Sequence, residues 1–120
     1  MPEHATDPPV ADTRSAELIR RLLDRDVDAP AEILACSATS TSPDVLVAAA
    51  VLGGRPSPVL DRAQRYATTS RDRQLVALAV ARLRGDADLL DALARDHLAD
   101  HPDNLLAAWI ADPAAVRGHA

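Results

Sequence analysis

Apolar residues recur every three or four positions through residues 70–104, the most regular part of the chain. After Ser70, a predicted N-cap, one face of a helix carries an apolar stripe: Leu75, Val76, Ala79, Val80 and Leu83. Gly85 suits a left-handed helix end, and Asp86 can cap a second helix. That helix carries its own stripe up to Pro102: Leu89, Leu90, Leu93, Ala94, His97 and Leu98. Helices joined by so short a turn must run antiparallel.

An earlier segment repeats this unit. LVAAAV (46–51) aligns with LVALAV (75–80), and Val59-Leu60-Asp61 aligns with Leu89-Leu90-Asp91. Ser42-Pro43 and Ser57-Pro58 are both helix-start signals, with a capping hydroxyl before a proline. We therefore predict two hairpin repeats, over about 43–68 and 71–101.

Two repeats are few for a stable stack, because each repeat needs neighbours to cover its apolar faces. Helices predicted over 13–25 and 103–111 can provide this cover, and otherwise another subunit must. Residues 1–11 contain three prolines and no apolar periodicity, which predicts a disordered leader. The expected organisation is this leader followed by a single helical domain over 12–117.

The N-terminal helix has an apolar stripe of its own, made by Leu18, Ile19, Leu22 and Leu23. Glu17 and Arg21 lie one helical turn apart on its polar side, where they can form a helix-supporting ion pair. A short second helix is predicted to start at Asp28-Pro30. Its inward-facing residues are expected to be Ile33, Leu34 and Cys36.

The second half of the 70–104 segment resembles a tetratricopeptide repeat. The match comprises Gly85-Asp86, Leu90, Leu98 and the closing Pro102-Asp103-Asn104. A HEAT-like or generic helical hairpin remains an alternative. The resemblance implies antiparallel hairpins stacked as a short α-solenoid, and an irregular bundle of about six helices is the other arrangement we expect.

The resemblance also implies a partner-binding groove on the first helix of the repeat. The groove positions would be Asp72, Leu75, Ala79 and Arg82. Trp109 falls at or next to the family's aromatic packing position. It is therefore either a core anchor or, if exposed, a contact for a partner.

Composition supports an all-α fold. The chain has 25 Ala and 16 Leu but only two aromatic residues, so helix formers dominate and strand formers are scarce. All 13 basic residues are Arg and 15 of the 18 acidic residues are Asp, a bias typical of high-GC coding that indicates an actinobacterial source. The net charge of −5 argues against binding to a phosphate backbone.

Nothing in the sequence predicts an extracellular or membrane protein. Cys36 is the only cysteine, so no internal disulfide can form. No apolar run is long enough to cross a membrane, and the polar N-terminus does not resemble a signal peptide. We expect a cytoplasmic protein.

Candidate chemistry is sparse. His97 and His101 are four residues apart and could share one side of a helix, but zinc would need a third ligand such as Asp100 or His119. The alternative is that His97 packs at the hairpin seam while His101 favours the helix C-terminus. No phosphate loop, serine elbow or catalytic acid pair is present, so we expect no catalysis, no cofactor and no small-molecule substrate.

The leading functional hypothesis is therefore a tetratricopeptide-like protein–protein interaction module that binds another protein or self-associates. The alternative is an accessory or regulatory subunit of an enzyme complex, docking through the apolar stripe of the 13–25 helix. Two weaker alternatives are an enzyme or metal protein using His97 and His101, and a nucleic-acid-binding helical domain with its arginines on one face.

Overall fold

The computed structural model describes residues 10–112, and every regular element in that range is a helix. The seven helices are α1 (Val10–Leu23), α2 (Ala29–Cys36), α3 (Pro43–Gly53), α4 (Pro58–Tyr66), α5 (Ser70–Arg84), α6 (Ala87–Asp100) and α7 (Leu105–Ala111). The all-α prediction is confirmed. The end of the predicted domain, residues 113–117, lies outside the described range, as does most of the predicted leader.

Most helix ends follow the predicted signals. The Ser42 hydroxyl accepts from the Val45 N–H at 3.4 Å, and the Asp86 carboxylate accepts from the Leu89 N–H at 3.1 Å. Gly85 has a φ of 73°, in the left-handed region where glycine avoids Cβ strain.

Three predicted helix starts are wrong by one to three residues. Thr69, not Ser70, caps α5, because the Thr69 hydroxyl accepts from the Asp72 N–H at 3.0 Å. α1 begins at Val10, since nothing between Val10 and residue 13 breaks a helix. α7 begins at Leu105 instead of residue 103, because Asn104 caps it by accepting from the Ala107 N–H.

The helices form two layers. The odd-numbered helices α1, α3, α5 and α7 make the inner layer, in which each packs against the next and α7 returns to contact α1. The even-numbered helices form the outer layer: α2 lies against α1 and α3, α4 against α3 and α5, and α6 against α5 and α7. Each antiparallel hairpin therefore contributes one helix to the inner layer and one to the outer layer, and α7 closes the inner layer.

The core lies mainly between the inner helices. α3 is buried from Val45 to Val51, and its small side chains let neighbouring helices approach closely. Leu75 and Leu78 of α5 and Ile110 of α7 are also completely or almost completely buried. Aliphatic side chains and alanines make up almost all of this core, and Trp109 is its one aromatic residue among the described residues.

The N-terminal stripe is part of this core. Leu18 and Leu22 of α1 are almost completely buried in a helix that packs on α2, α3 and α7. The apolar stripe that the accessory-subunit hypothesis needs for docking is therefore already covered by the chain itself.

Two expectations around α2 are wrong. Leu34 points outward and is 46% exposed, whereas Ile33 alone of the predicted inward set is fully buried. Arg21 is tied to Asp26 and Glu32 across the α1–α2 turn, rather than to Glu17, with the closest contact at 2.6 Å. Bonding to Arg21 lowers the pKa of both carboxyls from their usual range.

Among the described helices, none combines the length and the apolar character that a membrane span requires.

Candidate protein-binding groove

The groove implied by the family resemblance is not open. Leu75 and Ala79 are completely buried on α5, so neither side chain can meet a partner in this fold. Arg82 is half-buried and donates to the Ile110 carbonyl of α7 at 3.0 Å. Asp72 is half-buried and contacts Arg71 at 3.2 Å. Because α7 packs against α5, the chain covers much of the predicted binding face itself.

Trp109 is part of that cover. It lies on α7 and is only 8% exposed, in the same buried cluster as Leu106 and Ile110. Of the two interpretations drawn from the sequence, the structure supports the core anchor.

His97 is held in a buried hydrogen-bond chain that joins α5, α6 and the start of α7. Its Nδ1 lies 2.6 Å from Gln74 Oε1, and its Nε2 lies 2.8 Å from Asn104 Nδ2. Asn104 Oδ1 accepts from the Ala107 N–H, so its amide nitrogen must donate to His97 Nε2. His97 therefore carries its proton on Nδ1 and donates it to Gln74.

This arrangement explains the electrostatics of His97. Burial lowers the pKa of His97 from its usual 6.5, and the nearby His101 and Arg71 act in the same direction, while Asp100 opposes them. The His97 and His101 rings lie 4.8 Å apart. Both ring nitrogens of His97 are engaged, so coordination of a metal would first have to break one of these hydrogen bonds. Within residues 10–112, no cluster of three or more His, Cys, Asp or Glu could hold a metal ion.

An open groove lies on another side of α5, between the outer helices α4 and α6. Its volume is about 460 Å³. α5 forms the floor, because both outer helices pack against it. The lining is mostly apolar and consists of Gln64, Ala67, Arg73, Val76, Ala77, Val80, Ala81, Leu89 and Leu93. We call this surface the α4–α6 groove.

The chemistry of the α4–α6 groove suits an apolar helix. Ala77 and Ala81 leave room on the floor for close approach, while Leu89 stands at the side with 42% of its surface exposed. Arg73 is the one charged residue of the lining, and it donates to the Thr68 carbonyl at 3.2 Å. The guanidinium has further N–H groups that could donate hydrogen bonds to an acidic group on a partner.

A second groove of similar volume, about 470 Å³, lies beside the α5–α6 turn and the end of α7. Its lining includes Arg82, Asp86 and Asp91, so it is much more polar. The α4–α6 groove is therefore the better site for burying apolar surface.

Sequence reasoning did not identify the α4–α6 groove. Leu75, Val76, Ala79 and Val80 belong to a single predicted stripe, although Leu75 and Ala79 face the core and Val80 borders the groove. Periodicity shows which side of a helix is apolar. How much of that side is buried depends on which other helices pack against it. The sequence feature that could have indicated the groove is Ala77, which lies outside the predicted stripe and extends the apolar surface around α5.

Comparisons with known proteins add no further constraint: no family model matches the chain, and no curated protein or solved structure matches it significantly.

Proposed function

We propose that this chain is a non-catalytic, tetratricopeptide-like interaction module that binds an apolar helix of a protein partner in the α4–α6 groove. The observation that carries the proposal is an open, mostly apolar groove between two outer helices, with a single cationic residue in its lining. A surface of this kind is typical of helix-in-groove recognition.

The packing of the chain supports a helix as the occupant. Each of the outer helices α2, α4 and α6 already lies against two inner helices. A bound helix would in turn lie on α5 with α4 and α6 on either side, which extends the same ridge-and-groove packing by one element. The small residues Ala67, Ala77 and Ala81 permit the close approach that this packing needs.

The partner helix must match this lining. Its buried side should carry aliphatic residues, because the floor and walls supply aliphatic contacts from Val76, Val80 and Leu93. An acidic residue at one end should pair with Arg73 and fix the direction of the helix in the groove.

Site-specific photo-crosslinking in the native cell tests this proposal. A photoreactive amino acid replacing Leu89 reports on the groove, and the same amino acid replacing Ala108, an exposed residue of α7, is the matched control. We expect Leu89 to give a defined protein adduct, mapped to an amphipathic helix, that Ala108 does not give.

Ala77→Arg fills and charges the floor and should abolish the Leu89 adduct, while Ala108→Arg should leave it intact. An adduct that persists with Ala77→Arg, or that forms equally from both positions, would refute the proposed site.

A further inference from the structure

The outward face of α2 is an uncovered apolar surface. Its exposed residues recur at helical spacing from just before the helix to just after it: Val27, Ala31, Leu34, Ala35 and Ala38. Val27 is 88% exposed and Leu34 is 46% exposed. Glu32, the charged residue within α2, is turned away to bond with Arg21. We call this surface the α2 stripe.

The α2 stripe and the α4–α6 groove match in length. The groove follows α5 from Arg73 to Ala81, eight residue steps or about 12 Å of helix rise. The helical part of the stripe is α2 itself, whose eight residues are also about 12 Å long. Its three alanines allow close contact with the floor, and Leu34 supplies a large aliphatic side chain for the apolar lining that includes Val80 and Leu89.

The charges match as well. Asp28 stands at the N-terminal end of the α2 stripe, three residues before Ala31 and seven before Ala35, and so shares their side of the helix. Asp28 is exposed, and its carboxylate makes no capping hydrogen bond to α2. Placing Asp28 beside Arg73 sets the N-terminus of α2 at the N-terminal end of the groove floor.

We infer that the helix received by the α4–α6 groove is α2 of a second copy of this chain, docked parallel to α5 with Asp28 against Arg73. This inference rests on the proposed function and supplies the identity of the partner. The groove and the α2 stripe are different surfaces of one molecule, so the contact is heterologous. Each added copy presents a new free groove or a new free stripe, and the chain assembles into an open-ended series unless the rotation closes it into a ring, the smallest being a dimer in which each copy fills the groove of the other.

Light scattering over a concentration series tests the assembly directly. For the wild-type chain, we expect an average mass that rises with concentration above that of the monomer, to a fixed value if a ring closes and without limit if the series stays open. Leu34→Arg removes the stripe and leaves the groove, whereas Ala77→Arg removes the groove and leaves the stripe. Each variant alone should be a monomer at every concentration, while the control Ala108→Arg should assemble like the wild type.

Mixing the two defective variants is the decisive step. The intact groove of Leu34→Arg can bind the intact stripe of Ala77→Arg, and the resulting pair has no further binding surfaces. We therefore expect the equimolar mixture to form a one-to-one dimer, with about twice the monomer mass, and to go no further. A mixture that stays monomeric, or a wild-type chain that is monomeric at all concentrations, would overturn the inference.

A crosslink in the otherwise unaltered chain keeps the inference testable if either arginine variant fails to fold. The photoreactive group at Leu89 should join one copy to a peptide that includes Leu34 of an isotopically distinct copy. If Leu89 crosslinks only to a different protein, this inference fails and the proposed function stands. If Leu89 gives no protein adduct of any kind, both fail.

Discussion

At the scale of single residues, His97 is the most constrained side chain. Gln74 accepts from its Nδ1, Asn104 donates to its Nε2, and only 1% of its surface is exposed. Protonation would place a hydrogen on Nε2 directly against the amide donors of Asn104. The neutral ring therefore belongs to the folded state, and acid should favour states in which this chain of hydrogen bonds is broken.

The stability of the protein should therefore depend on pH through His97. The pKa of His97 lies below 6.5 in the fold and near 6.5 in the unfolded chain, so the unfolded chain binds the extra proton first as pH falls. The contribution of His97 to the free energy of unfolding should therefore be constant above its pKa in the unfolded chain and decrease as pH falls below it. Urea unfolding at about pH 7.5 and about pH 5.5 measures the difference.

His97→Gln should remove most of this slope, while the neighbouring His101→Gln should retain it. Asp26 and Glu32 have lowered pKa values in the fold. Their contribution to the free energy of unfolding is therefore lost only as pH falls below the pKa values of these groups in the unfolded chain, which lie below the two pH values compared. Equal wild-type stabilities at the two pH values would contradict the assignment of His97.

At the scale of helices, the turn between α5 and α6 shows how local chemistry sets an element's length. The Gly85 N–H bonds to the Arg82 carbonyl and the Asp86 N–H bonds to the Ala81 carbonyl, closing the end of α5. Asp86 then caps α6, so two adjacent residues end one helix and begin the next. The antiparallel hairpin follows from this pair.

Gly85→Ala should destabilise the protein by about 1 kcal/mol, because a side chain strains the left-handed backbone. A Cβ there would meet no atom within 4 Å, so steric contact adds nothing to this cost. Gly53→Ala is the matched control, since Gly53 is helical and also has free space for a Cβ. Urea unfolding should show no loss for Gly53→Ala, and equal losses for the two variants would contradict the strain argument.

At the scale of the whole molecule, α7 turns a stack of hairpins into a closed inner layer. It lies against α1, α3, α5 and α6, although it has only seven residues. Ile110 is completely buried and its carbonyl accepts from Arg82, whereas Leu105 at the start of the helix is 62% exposed. One side of this short helix therefore carries its stabilising contacts.

Ile110→Ala should lower the free energy of unfolding by about 2–5 kcal/mol, because it leaves a cavity where the inner helices meet. Leu105→Ala removes a similar volume from the exposed side of the same helix and should change stability by less than about 0.5 kcal/mol. Urea unfolding compares the two variants. Similar losses of unfolding free energy in both variants would mean that α7 does not pack on the core through the Ile110 side alone.

The sequence by itself determined which segments are helical, roughly where each begins and ends, and that they pair as antiparallel hairpins. These properties depend on apolar periodicity and on caps such as Ser42, Asp86 and Gly85, whose interactions reach only a few residues along the chain. The errors at helix starts are shifts of one to three residues, and at α5 the error is a local choice between two adequate hydroxyls, Thr69 and Ser70.

Only the tertiary structure decided which apolar surfaces are covered. Leu75 and Ala79, assigned to a groove by resemblance, lie buried in the core, while Leu34, predicted to face inward, points outward. The periodic pattern marks one side of each helix as apolar. Which helices pack against that side depends on contacts between residues far apart in the chain. The return of α7 to α1 closes one face and leaves the α4–α6 groove and the α2 stripe open.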